Sequence, residues 1–129
     1  IDTMYYMYSL LKTVEFDRWL AKLRDQKAKA RIVSRMVSAE KGNLGDVSPV
    51  GSGVSEMRVH YGPGYRVYFT LRGKELIVLL IGGDKSSQKK DIEKAKTIAK
   101  EIEEGEISIN EKANKVRRSG LSGQRRGDR

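Results

Sequence analysis

Residues 54–88, VSEMRVHYGPGYRVYFTLRGKELIVLLIGGDKSSQ, decide the fold. Up to residue 61 the apolar positions fall two apart, with Met57, Val59 and Tyr61 on one side and Glu56, Arg58 and His60 on the other. That period belongs to a strand with one buried face. Gly62-Pro63-Gly64 supplies a tight turn, because glycine accepts positive φ and proline fixes its own. A second alternating run follows, in which Tyr65, Val67, Phe69 and Leu71 interleave with Arg66, Tyr68, Thr70 and Arg72. Gly73-Lys74 suits a two-residue hairpin loop. Residues 76–81 are apolar without a break, which predicts an interior strand covered on both faces. Gly82-Gly83-Asp84-Lys85 then leaves the sheet, and Ser86 is placed to cap a last helix. The stripe of that helix is Ile92, Ala95, Ile98, Ala99 and Ile102, with Gly105 at the terminating position.

Upstream of this core, the Tyr-rich residues 4–11 predict a strand. Thr13 is positioned as an N-cap before Phe16, Trp19, Leu20 and Leu23, which recur at helical spacing. After Asp25 a second helix carries Ala28, Ile32, Val33, Met36 and Val37 on its apolar face, while Lys27, Arg31 and Arg35 line another. Residues 41–53 are punctuated by Gly42, Gly45, Pro49, Gly51 and Gly53 and predict a loop. The expected architecture is α+β in the order β-α-α-β-β-β-α: an antiparallel sheet, a helical hairpin on one face and a C-terminal helix, the second face being left partly open. One domain is expected over residues 1–105, and residues 106–129 predict a basic, disordered tail.

The 129 residues hold 26 Lys and Arg against 17 Asp and Glu, a formal charge of +9. The charge is uneven: residues 12–90 and the tail carry the excess of bases, and residues 91–111 are acidic. The absence of cysteine rules out disulfides, thiolate metal ligands and a cysteine nucleophile. No stretch is apolar for long enough to span a membrane and none has the pattern of a signal segment, so a cytoplasmic protein with no membrane partner is expected.

Arg58, His60, Arg66, Tyr68, Thr70 and Arg72 fall on the strand face turned from the expected core. Such a face suits a polyanion, and it equally suits plain solvation. Gly83-Asp84-Lys85-Ser86 lies between a strand and a helix, but Val78 stands where a nucleotide-binding loop needs glycine, and Asp84 would repel phosphate. A helix start ringed by Lys85, Lys89 and Lys90 can hold a single backbone phosphate or simply be capped and solvated. His60, the one histidine, has no partner set for a metal, and its ordinary pKa fits proton transfer near neutrality. Trp19 reads as core, and for Tyr65 burial competes with base stacking.

Gly62-Pro63-Gly64-Tyr65-Arg66-Val67-Tyr68-Phe69, followed by residues 79–88, LLIGGDKSSQ, resembles the phage-derived Gp49-like, HigB-type branch of the RelE/ParE toxin superfamily. Residues 16–20 (FDRWL), 42–46 (GNLGD) and 51–58 (GSGVSEMR) carry the same likeness, which covers roughly residues 5–104. The resemblance implies the toxin of a type II toxin–antitoxin pair, a ribosome-dependent endoribonuclease that cuts mRNA and inhibits translation. Its chemistry would be attack of a ribose 2′-OH on the adjacent phosphate, with no metal or cofactor. The positions it singles out are Arg66 and Lys85 for the phosphate, with Arg58 near the place where basic residues precede the turn; His60, two residues along on the same face, is the candidate for proton transfer. Arg31, Arg35, Tyr68, Arg72, Gln88 and Lys89 would bind RNA. Asp91 stands where the best-studied pattern has a late tyrosine. The implied partners are a helix-turn-helix antitoxin, the ribosome with its mRNA, and operator DNA only through the antitoxin. ParE-like relatives, which poison DNA gyrase by binding, keep a second activity open, as does an inactive remnant that only binds antitoxin.

Overall fold

The computed structural model describes residues 7–73 and 76–105. The expected tail, residues 106–129, lies outside them, as do Lys74 and the first residues of the expected N-terminal strand. The described chain runs β1 (Ser9–Lys12), α1 (Val14–Lys22), α2 (Gln26–Glu40), β2 (Val47–Gly51), β3 (Val54–Val59), β4 (Tyr65–Arg72), β5 (Leu76–Asp84), a short 3₁₀ turn (Lys85–Ser87) and α3 (Gln88–Glu103). It is an α+β fold with one five-stranded sheet, ordered β1-β5-β4-β3-β2. Among the described residues no helix is long and apolar enough to cross a membrane.

Two sheet expectations are corrected. The sheet is mixed, because β1 runs parallel to β5, Ser9 lying opposite Leu76 and Lys12 opposite Leu79. A fifth strand, β2, occupies part of the expected 41–53 loop and pairs antiparallel with β3. Its glycines and Pro49 hid it. Proline removes a ladder donor, yet an outermost strand needs donors on one side only, and the register shifts between Pro49 and Gly51.

The start of α1 obeys its sequence signal and that of α3 does not. Thr13 Oγ1 accepts from Phe16 N at 3.0 Å and donates to Leu80 O at 2.7 Å, fastening α1 to β5. Asp25 Oδ1 accepts from the Lys27 and Ala28 amides. Ser86 does not cap α3; it lies in the 3₁₀ turn, where its amide donates to Asp84 Oδ1 at 2.8 Å, and the N-cap position is Ser87. Gly105 ends α3 at φ +80°, a conformation that disfavours a side chain.

Helices cover both faces, contrary to the partly open sheet expected. Phe16, Ala28, Ile32, Met36 and Ala39 pack from α1 and α2 onto Met57, Val59, Val67, Phe69, Ile77 and Leu79. Val33 and Val37, assigned to that apolar face, are exposed. On the other side Ala95, Ile98 and Ile102 of α3 pack onto Val54, Tyr68, Val78, Leu80 and Ile81. A shift in the β4–β5 register between Tyr68 and Phe69 turns Leu80 and Ile81 both toward α3.

Candidate functional site

Residues 58 and 66 face each other across the β3–β4 pair, so the strand period alone brings two guanidinium groups together. Opposed like charges need an anion between them. Glu56, two residues before Arg58 on the same face, supplies it. Glu56 Oε1 lies 3.3 Å from Arg58 Nε and Oε2 lies 3.3 Å from Arg66 Nε. The carboxylate is only 2% exposed, and Oε2 also accepts from the Tyr68 hydroxyl at 3.0 Å and the Gln88 amide at 2.8 Å. A buried carboxylate with this many partners holds its surroundings rigidly.

Arg66 is 12% exposed. Its Nη1 donates to Gly64 O at 2.8 Å, while its buried Nε, near Glu56, makes no hydrogen bond among the described residues. Its Nη2 has no partner among the described residues. Lys85, exposed at the start of the 3₁₀ turn, flanks it. Gly64, at φ +84°, marks the junction: a Cβ there would lie 3.3 Å from Arg66 Nη1 and 3.6 Å from Lys85 Cβ. The Arg66 guanidinium and the root of the Lys85 side chain thus border one point at the base of the β3–β4 turn.

On the other flank Arg58 Nη1 donates to Asp46 Oδ1 at 2.8 Å and its Nη2 to Ser48 Oγ at 2.6 Å. The second oxygen of Asp46 meets His60 Nε2 at 2.6 Å. The His60 hydrogen bond, with Arg58 adding to it, holds the Asp46 carboxyl below the usual carboxylate range. His60 is 73% exposed, with Nε2 turned to Asp46. Across this end of the sheet the groups therefore run Asp46, Arg58, Glu56, Arg66, Lys85.

Several residues expected to meet RNA are placed elsewhere. Tyr68 is fully buried beneath α3 and cannot stack on a base. Burial first, and the neighbouring Glu56 next, push its phenol well above the ordinary value, so it stays a neutral donor. Arg35 is half-buried and structural, donating to Leu44 O at 2.9 Å and to Arg58 O. Arg31 lies exposed on α2 with its guanidinium 4.7 Å from the centre of the Tyr61 ring. Arg72 is exposed at the far end of β4, six residues and about 20 Å from Arg66. Gln88 joins the cluster through Glu56, and Lys89 is exposed in the first turn of α3. The phosphate seat at the helix start is partly taken by acids of the chain itself, Asp84 on the Ser86 amide and Asp91 in the first turn.

Sequence reasoning missed Glu56, Asp46 and the burial of Asp91. One signal was available: a carboxylate sharing a strand face with two arginines is placed to pair with them. The covering helix could not be read from strand alternation. Among the described residues no group of His, Asp and Glu is arranged to hold a metal ion.

Residues 18–103 match a family of proteins described as phage-derived and Gp49-like. An uncharacterized protein from Haemophilus influenzae is 47% identical over 90 residues, which cover 70% of this chain and 91% of the relative.

Proposed function

The chain belongs to the Gp49-like family of phage-derived proteins, within the RelE/HigB-type toxin group, and on that premise we propose that it is a ribosome-dependent mRNA endoribonuclease. At the level of the family it is the toxin of a toxin–antitoxin pair, with an antitoxin as partner. In the finer reading the ribose 2′-OH attacks the adjacent phosphorus, the 2′-O–P bond forms and the P–O5′ bond breaks. A cyclic phosphate and a 5′-OH result.

The observation that carries this reading is the Arg66 guanidinium, fixed by Glu56 and Gly64 O and flanked by Lys85. Charge develops on the phosphorane oxygens, and cations already held in place stabilise it without reorganising. Arg66 is suited to grip two oxygens with its fork, and Lys85 to add a point charge. Arg58 keeps Glu56 from drawing Arg66 fully out of play, and it holds Asp46, which aims His60. His60 takes the proton of the 2′-OH or delivers one to O5′. The antitoxin partner is a separate helix-turn-helix protein whose acidic residues neutralise the cation cluster and which links the complex to operator DNA.

The test is to induce the protein and map new mRNA 5′ ends with and without stalled ribosomes, scoring gyrase-linked DNA breaks in parallel. Translation-dependent cuts, slowed by His60→Gln, are expected. An unchanged rate in that variant removes His60 from proton transfer. DNA breaks with intact transcripts would replace the ribonuclease by a gyrase poison.

A further inference from the structure

Among the described residues the partners of Glu56 come from two sources. Arg58, Arg66 and Tyr68 stand on β3 and β4, and the register alone sets them in place: Glu56 faces Tyr68 across the pair, and Arg58 faces Arg66. The remaining partner, Gln88, comes from outside that pair, at the first position of α3. Lys85 is outside it too. The β4–β5 ladder ends with Tyr65 opposite Asp84, so Lys85 follows the last paired residue, and no ladder fixes it relative to Arg66.

Gln88 makes that connection with both its backbone and its side chain. The backbone N–H closes the 3₁₀ turn on Lys85 O. The side-chain Nε2 donates at 2.8 Å to Glu56 Oε2, the oxygen that lies 3.3 Å from Arg66 Nε. Among the described residues Gln88 alone bonds both the turn that carries Lys85 and the acid that holds Arg66. The close approach at Gly64, bordered by the guanidinium and the root of Lys85, lies between these two anchors. The rest of α3 has other fastenings. Ala95, Ile98 and Ile102 seat it on the sheet, and Ser87 Oγ donates at 2.5 Å to Asp91 Oδ2, which packs against Gly83. The half-buried Gln88 amide is therefore spare for folding.

We propose that Gln88 is a positioning residue that sets the distance between Arg66 and Lys85, an inference resting on the ribonuclease reading. It is not an RNA ligand. Two cations that serve one phosphate must meet oxygens of a single tetrahedral group, and charge builds on those oxygens only as the phosphorane forms. A lysine on a loosened turn still attracts RNA, because a point charge acts over several ångströms. It no longer stands where the new charge appears, and a misplacement of about 1 Å can cost about a hundredfold in rate. Loss of the Gln88 amide should therefore slow the chemical step and spare binding. A direct RNA ligand would behave in the opposite way.

Gln88→Met keeps the reach of the side chain and removes the donor. On ribosomes programmed with mRNA its kcat should fall about tenfold or more, while KM stays within about twofold and the melting curve stays close to that of the wild type. Gln88→Lys, which returns a donor to Glu56, should recover most of kcat. In a Lys85→Ala background Gln88→Met should add little, since no second cation is left to place. A raised KM with kcat unchanged would make Gln88 an RNA ligand and overturn the proposal. So would kcat and KM both unchanged, effects of the two substitutions that multiply, or no recovery with Gln88→Lys. A Gln88→Met chain that does not fold would overturn it as well, because the amide would then be a fastening of α3. A wild-type protein that cuts no transcript would sink the ribonuclease reading. A wild type that cuts, matched in rate by Gln88→Met, would sink this inference alone.

Discussion

Both faces of the sheet are roofed by helix, but they are built from different chemistry. Under α1 and α2 the contact is mainly hydrocarbon and aromatic, centred on Phe16, Ile32, Met57 and Phe69, with Thr13 and Arg35 hydrogen-bonding to backbone at its margins. Under α3 it divides along the strands. Val54, Val78, Leu80, Ile98 and Ile102 form an apolar half, while Glu56, Tyr68 and Gln88 form a polar half that borders Arg58 and Arg66. The first face can be stable by packing alone. The second gives up apolar burial for a buried carboxylate between two guanidiniums, an arrangement of small net worth for folding. What the cluster does provide is a fixed position for both guanidiniums.

The contrast can be broken in order of expected effect. Phe16→Ala, on the apolar face, should cost about 3–5 kcal/mol of stability, read from denaturant unfolding, while any protein that remains folded keeps its cation geometry. Arg66→Ala should leave a folded chain but abolish growth inhibition, with about 2–4 kcal/mol of transition-state stabilisation lost. Full toxicity in a well-expressed Arg66→Ala variant would take that residue out of the mechanism. Glu56→Gln should do both at once and less severely. Leaving the two guanidiniums without their anion costs about 2 kcal/mol of stability, and a cleavage assay should show the loss in kcat more than in KM, because Arg66 is no longer held. Unchanged activity in Glu56→Gln would make the carboxylate structural only.

The smallest effect is in pH. The Asp46 carboxyl is depressed in the folded protein by His60 and then Arg58, so its contribution to stability is complete above the ordinary carboxylate range and fades as pH falls through the depressed value. Melting temperature against pH should therefore drop on the acid side, and Asp46→Asn should flatten that limb. The pair is exposed, so the change should be modest and reduced by salt.

How much of this was legible depends on what each residue has to do. The period of two in residues 54–72 and the unbroken apolar run of residues 76–81 led to β3, β4 and β5, because strand burial follows side-chain alternation. Thr13 announced the first helix through its cap, and the spacing of Ala28, Ile32 and Met36 announced the second. β2 was hidden because an edge strand tolerates the glycines and proline that elsewhere forbid one. Tyr68 and Arg66 share an alternation with Arg72, and the sequence treats them alike. Only the path of α3, which covers Tyr68 and leaves Arg72 in solvent, and the Glu56 carboxylate, which holds Arg66, separate them. Asp91 was noticed solely as a missing tyrosine; that it leans on a glycine backbone needs the crossing of helix and strand.

The parallel pairing of β1 with β5 has a consequence for how the chain assembles. The bond from the Thr13 hydroxyl to Leu80 joins residues 67 apart, and among the described residues β1 has no strand beside it other than β5. Nothing near in sequence can complete that edge, so β3, β4 and β5 must zip up through their short connections before the N-terminal segment finds its place. Until then Leu10 and Phe16 lack the surface that shelters them. Closing so long a loop is entropically demanding, which is why the parallel edge depends on the hairpins that prepare β5 to receive it.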